Sequence, residues 1–198
     1  MKNKYKLFKL RLELLDKDIL EREKICYKTI YNKELPCTPV KKDGEFCVYI
    51  MCGIPGAGKS TYTQNYLSDK VIISIDEIRC ELGVQGQSPG NDLKRIGTIE
   101  EEKKVYEVYY NKLIECCKNK QDCVLDNLNI TKESRKEILD RVEEYNPIIK
   151  IVYVEPEDFI ETCSKRRTEH NKGIFYGMNS MLEFPESDEY NELIIYKS

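Results

Sequence analysis

The chain has 198 residues, 40% hydrophobic and 34% charged, with a formal net charge of -3. That suffices for one domain with a sizeable core, and the balance excludes a disordered polymer. Residues 1–45 hold 12 basic and 8 acidic side chains and the remainder 20 and 27, so a bulk basic field for nucleic acid is absent and a polyanion has to be held by a local patch.

The longest nearly apolar run, Phe46 to Cys52, is far too short to span a bilayer. "MKNKYKLFKLRLE" has neither an uninterrupted apolar core nor a small-residue cleavage site, so no secretion signal is read. Nine cysteines without a CxxC pair suit reduced, mostly buried thiols in a cytoplasmic protein. With His170 as the one histidine, no ligand pair has zinc spacing.

In chain order, "FKLRLEL" alternates like a half-buried strand, yet Phe8, Leu12, Leu15 and Ile19 also share one helical face; both assignments stand. Asp18 to Tyr31 reads as a helix, with Asp18 and Glu21 resembling a capping box. "LPCTPVKKDGE" then breaks regular structure, which separates an N-terminal basic extension, 1–45, from a domain over 46–198. From there strands and helices alternate. The strands are "FCVYIMC", "VIISI", "CVLDN", "IKIVYV" and "ELIIYK". The helices are Ser60–Leu67, Glu77–Leu82, Thr98–Cys117, Lys132–Tyr145 and a charged Pro156–Glu169, and "GVQGQSPGND" is a loop. The pattern predicts an α/β three-layer sandwich around a mostly parallel sheet.

"GIPGAGKST" fits G-x-x-x-x-G-K-[ST] between a strand and a helix, the context a phosphate-binding loop requires. Gly53, Ile54, Pro55, Gly56, Ala57 and Gly58 would wrap backbone N–H groups around phosphate oxygens, with Lys59 as a point charge and Ser60 and Thr61 opening the helix. Ser60 would ligate the magnesium that ATP carries. "IISIDE" could be the metal-binding strand of a motor ATPase, but Lys59 to Asp76 spans only enough chain for a helix, a turn and the next strand. "NKQD" at Asn119–Asp122 has the form of a guanine-reading motif, yet it links a helix to the start of a strand and reads as a polar turn. Asp76 and Asp126 both end strands, where ligands of open parallel sheets bind. Asp76 is therefore the candidate base for an acceptor hydroxyl, although it could instead cap a helix. Arg79, one turn on, would hold an anionic part of the acceptor. Arg166 and Arg167 would meet charge developing on a transferring phosphoryl group.

Three ordered motifs, "GIPGAGKST", "SIDEIR" and "VLDNLNITKESR", resemble those of the polynucleotide kinase-like P-loop kinases, including the kinase domains of RNA-repair enzymes. The resemblance covers about 46–198. It implies a P-loop NTPase fold with a helical lid at about 156–182, ATP and Mg2+, and transfer to a 5′-hydroxyl end of RNA or DNA. It makes Asp76 the general base, Arg79 a contact to acceptor phosphate, Asp126 and Asn129 acceptor-side residues, and Arg166 a lid arginine on the donor phosphates. Leu128 stands in place of the Thr of D-x-T-N, and His170 where a second lid arginine is often found. A zeta-toxin-like kinase of a nucleotide sugar or nucleoside, and a nucleotide-dependent binding module, are the alternatives. No membrane partner is expected; oligomeric state is left open.

Overall fold

The computed structural model describes residues 2–35, 44–84, 97–158, 161–162 and 176–198. Two helices come first, α1 (Lys2–Glu13) and α2 (Ile19–Tyr31). The ambiguity of "FKLRLEL" thus resolves as helix. The segment lacks β-branched residues and, apart from Phe8, is built from Leu, Lys, Arg and Glu, all strong helix formers. Leu7 and Arg11, one turn apart, become buried. Asp18 caps α2 by accepting from the N–H groups of Leu20 and Glu21.

The remaining elements alternate as expected: β1 (Cys47–Cys52), α3 (Lys59–Tyr66), β2 (Val71–Ser74), α4 (Ile75–Glu81), α5 (Ile99–Lys118), β3 (Cys123–Asp126), α6 (Lys132–Val142), β4 (Ile148–Glu155) and β5 (Glu192–Lys197). All five strands are parallel, in the order β2-β3-β1-β4-β5. β1 lies at the centre and is buried along nearly its whole length, whereas β5, an edge strand, is half-buried. That is why "CVYIMC" reads as a continuous apolar run. The chain steps toward one edge after β1 and toward the other afterwards, so right-handed crossovers send α3 to one face and α5 and α6 to the opposite one.

α5 carries the apolar stripe expected of it: Val105, Tyr109 and Leu113 are buried against the sheet. Each such aliphatic side chain contributes about 1.5–3 kcal/mol. Its start is fixed by a reciprocal cap between Thr98 and Glu101. Most of the expected loop "GVQGQSPGND" and most of the expected helix Pro156–Glu169, with Arg166, Arg167 and His170, lie outside the described residues. No described helix is long and apolar enough to cross a membrane. The seven described cysteines are free, and most are buried.

Candidate active site

The phosphate loop joins β1 to α3 at the carboxyl edge of the sheet. Gly53 is required by contact: a Cβ there would lie 2.4 Å from the Val154 carbonyl oxygen on β4. Gly58 is required by conformation: it caps α3 at φ 90°, a region that side-chain-bearing residues avoid. The loop is tied down from two further sides. The Gly53 N–H donates to the carbonyl of Leu128 (3.0 Å). The Ser198 hydroxyl donates to the carbonyl of Ala57 (2.8 Å).

Lys59 is only 8% exposed. Its Nζ donates to the carbonyls of Gly53 and Ile54, each at 2.9 Å. Burial pushes its ammonium down to about 8, against the pull of Asp126, Cys52 and Asp76. Next to it the Ser60 hydroxyl donates to Asp126 Oδ2 (3.1 Å). Burial raises the Asp126 carboxyl, and Ser60 and Lys59 oppose that rise. Ser60 and Asp126 together offer two hard oxygens beside a phosphate loop. That donor set fits a magnesium ion that takes its other ligands from water and phosphate.

Asp76 follows β2, an edge strand separated from β1 by β3. It lies in the first turn of α4, and Ser74 rather than Asp76 caps that helix by accepting from the Glu77 N–H. The helix starts at Ile75, two residues earlier than expected, because Ser74 supplies the cap. The Asp76 carboxylate is consequently free of capping duty. Its side chain is 89% exposed and pairs with Arg79 Nη1 at 2.9 Å. Arg79 is held in turn by Glu102 of α5, through Nε to Oε1 (3.1 Å) and Nη2 to Oε2 (3.0 Å). Glu102 carried no sequence signal, since it meets Arg79 only across the connection between α4 and α5.

Two residues expected on the acceptor side make contacts that the sequence did not reveal. Asp126 lies against Ser60, on the loop side of the site, because β3 is the strand directly beside β1. Asn129 is 4% exposed and its amide donates to the Met51 carbonyl of β1 (2.8 Å), so it braces the strand that carries the loop. The arginine closing the same motif, Arg135, is fully buried. It donates to the Asn129 carbonyl (3.0 Å) and forks onto Glu189 (2.7 and 3.0 Å). "NLNITKESR" thus builds the back wall of the loop, and the Leu128 contribution is a backbone carbonyl that any residue would supply. "NKQD" is the polar turn expected: Asn119 caps the end of α5, and Asp122 accepts from the N–H of Cys47, the first residue of β1 and so at the end of that strand away from the loop.

A family model described as an AAA domain (AAA_33) matches residues 48–173. No curated protein sequence matches the chain. Among solved structures, a candidate kinase from Chloroflexus aurantiacus is similar with a TM-score of 0.53 at 12% identity, covering 79% of this chain and 87% of that one. A chain of the Pnkp1/Rnl/Hen1 RNA repair complex is similar with a TM-score of 0.55 at 18% identity, covering 73% of this chain. The match takes in 50% of that repair-complex chain. The protein APE1195 is similar with a TM-score of 0.51 at 18% identity, covering 79% and 87%. At such identities the likeness is one of fold. The phosphate loop with the Ser60–Asp126 pair beside it, the parallel sheet and the matched span agree: the chain belongs to the AAA_33 family of AAA domains and has a P-loop kinase-like fold.

Proposed function

We propose that the chain is an ATP-dependent, cytoplasmic kinase that transfers a γ-phosphate to a 5′-hydroxyl end of RNA or DNA. The observation that carries a kinase role is the freed carboxylate of Asp76: exposed, uncapped, paired with Arg79 and set on the carboxyl edge of the sheet that bears the phosphate loop. An acceptor hydroxyl reaching Asp76 would give up its proton to the carboxylate as it attacks the γ-phosphorus, and ADP would leave. Magnesium, held by Ser60 and Asp126 with the nucleotide, would supply charge neutralisation. Lys59 would exchange its loop carbonyls for phosphate oxygens. Arg79 would bind the first acceptor phosphate, and Arg166, by family resemblance, would contact the donor. The ordered motifs favour a polynucleotide acceptor; fold likeness is common to several kinases and does not choose among acceptors.

One observation favours a second acceptor class, a nucleotide sugar or nucleoside. Both described partners of Arg79 are carboxylates, and residues 46–198 are acidic overall, which disfavours a long nucleic-acid footprint. The deciding experiment offers labelled ATP and magnesium with a 5′-hydroxyl oligonucleotide, then with nucleotide sugars and nucleosides. Label on the oligonucleotide is expected. Label only on a small molecule selects the second class, and label on none rejects a kinase of either kind in favour of a nucleotide-dependent binding module.

A further inference from the structure

We propose that the α1–α2 hairpin is a positioning element of the phosphate loop, acting through Arg22. This goes beyond the acceptor question and rests only on nucleotide binding by the loop.

The hairpin is joined to the domain by a buried chain of charges. Arg22, 2% exposed, forks onto Glu155, the last residue of β4, with Nη1–Oε1 at 2.7 Å and Nη2–Oε2 at 2.5 Å. Its Nε donates to Glu23, which is fully buried, at 3.2 Å. Glu23 also accepts from Arg11 Nε (2.9 Å) and Nη2 (2.6 Å), and Arg11 Nη1 donates to the Leu182 carbonyl (2.7 Å). The Tyr153 hydroxyl completes the chain by donating to Glu155 (3.2 Å). Two arginines and two glutamates thus bridge α1, α2, β4 and the segment that leads back toward β5.

The end of β4 is also the wall behind the phosphate loop. Val154, next to Glu155, presses its carbonyl so closely on Gly53 that no Cβ fits between them. Ile54, 2% exposed, lines a small cavity of about 20 Å³ together with Arg11, Arg22 and Glu155. The carbonyls of Gly53 and Ile54 are the two that hold Lys59. The path from Arg22 to the Lys59 ammonium therefore runs through one fork, one backbone contact and two hydrogen bonds.

The chemistry is informative. Burying ions costs desolvation, and a packed apolar pair would stabilise the fold as well or better. A guanidinium fork, however, fixes both distance and angle, which an apolar contact or a lysine does not. A device of this kind suits placement of β4 relative to the loop rather than bulk stability. Its consequence is that residues 1–35, which match no family motif, form part of the donor site's scaffold.

The test uses the full chain and Mg2+·ADP as probe, with binding read by titration calorimetry and folding by melting temperature. Arg22→Lys keeps the charge but loses the fork. Its dissociation constant for ADP is expected to rise about tenfold, with faster amide exchange in residues 46–58. Ile138→Ala, a core change in α6, serves as a control of similar melting loss and should bind ADP normally. The double change Arg22→Met with Glu155→Leu removes both charges and is expected to fold at least as stably, yet to bind ADP more weakly. Should Arg22→Lys not fold, the double variant carries the test. A folded variant of either kind that binds ADP within twofold of wild type overturns this proposal alone. Failure of the wild-type chain to bind ADP overturns the proposed function and this proposal with it.

Discussion

Lys59 is 8% exposed and already holds two carbonyls, whereas the Asp76 side chain, at the end of an edge strand, is 89% exposed and holds a single arginine. The donor side of the candidate site is buried, cross-linked and braced from behind by β4, Leu128 and Asn129. The proposed acceptor side, Asp76 with Arg79, is more exposed and supported by one carboxylate, Glu102. The difference follows from what each side has to do. Phosphates are met by fixed backbone groups whose orientation must be set in advance. A base for an incoming acceptor must stay reachable until a hydroxyl arrives, and exposure leaves the Asp76 carboxylate so.

The contrast predicts that damage on the two sides separates in the assay. Asp76→Asn keeps shape and loses the base. Transfer should fall about 10²–10⁴-fold while the ADP dissociation constant stays near wild type. Undiminished transfer removes Asp76 from the chemistry. Asp126→Asn, on the donor side, should act through the metal instead. The magnesium concentration needed for half-maximal transfer should rise about 10–100-fold, with much of the rate recovered at high magnesium. A loss that magnesium does not relieve would return Asp126 to the acceptor side, where its motif first put it.

The two sides also differ in how far they were legible. The phosphate loop was read residue by residue because its contacts are local: a strand, three glycines, a lysine and a helix start lie within a dozen positions of one another. The 17 positions between Lys59 and Asp76 leave room for one helix, a turn and one strand, and "VIISI" is indeed the next strand in the chain, with β3 lying between it and β1. What stayed hidden depends on contacts between distant segments. Asn129 looked like a ligand-binding amide until the structure put it under Met51. Glu102 had no signal at all, nor did the pairing of Arg22 with Glu155, 133 positions away. A polar side chain's type is written in the sequence; whether it faces solvent or a strand carbonyl is decided by packing. α1 illustrates a third case, since its apolar spacing fits two periods and only helix propensity separates them.

The buried donor side should reveal itself by titration. Lys59 is held down to about 8 by desolvation, so in the free chain it loses its proton as pH rises through that value. Nucleotide phosphates are already ionised there, with a second ionisation near ~6. They favour the charged lysine and raise its value in the complex. Between the free and bound values only the free chain has given up the proton, so binding ADP requires taking one up. The ADP dissociation constant should therefore weaken by about tenfold per pH unit above 8. Calorimetry in buffers of different ionisation enthalpy should detect that proton uptake, and the effect should vanish in Lys59→Met. A flat profile from pH 7 to 9.5 would mean that Lys59 keeps its charge in the free loop.

The smallest effect should come from the thin support of the acceptor side. Glu102 grips Arg79 through Nε and Nη2, which aims Nη1 at Asp76. Both partners are partly exposed, and pairs of that kind are worth only about 0.2–1 kcal/mol. Glu102→Gln keeps the length of the side chain and weakens the grip. If Glu102 serves to orient Arg79, the acceptor KM should rise about two- to fivefold at nearly constant kcat, because orientation of an anion-binding group is lost while Asp76 remains. A fall in acceptor KM would mean the reverse: that Glu102 competes with the acceptor's own anion for Arg79. The direction of this modest change separates a preset acceptor site, built like the donor side, from one that the acceptor itself must open.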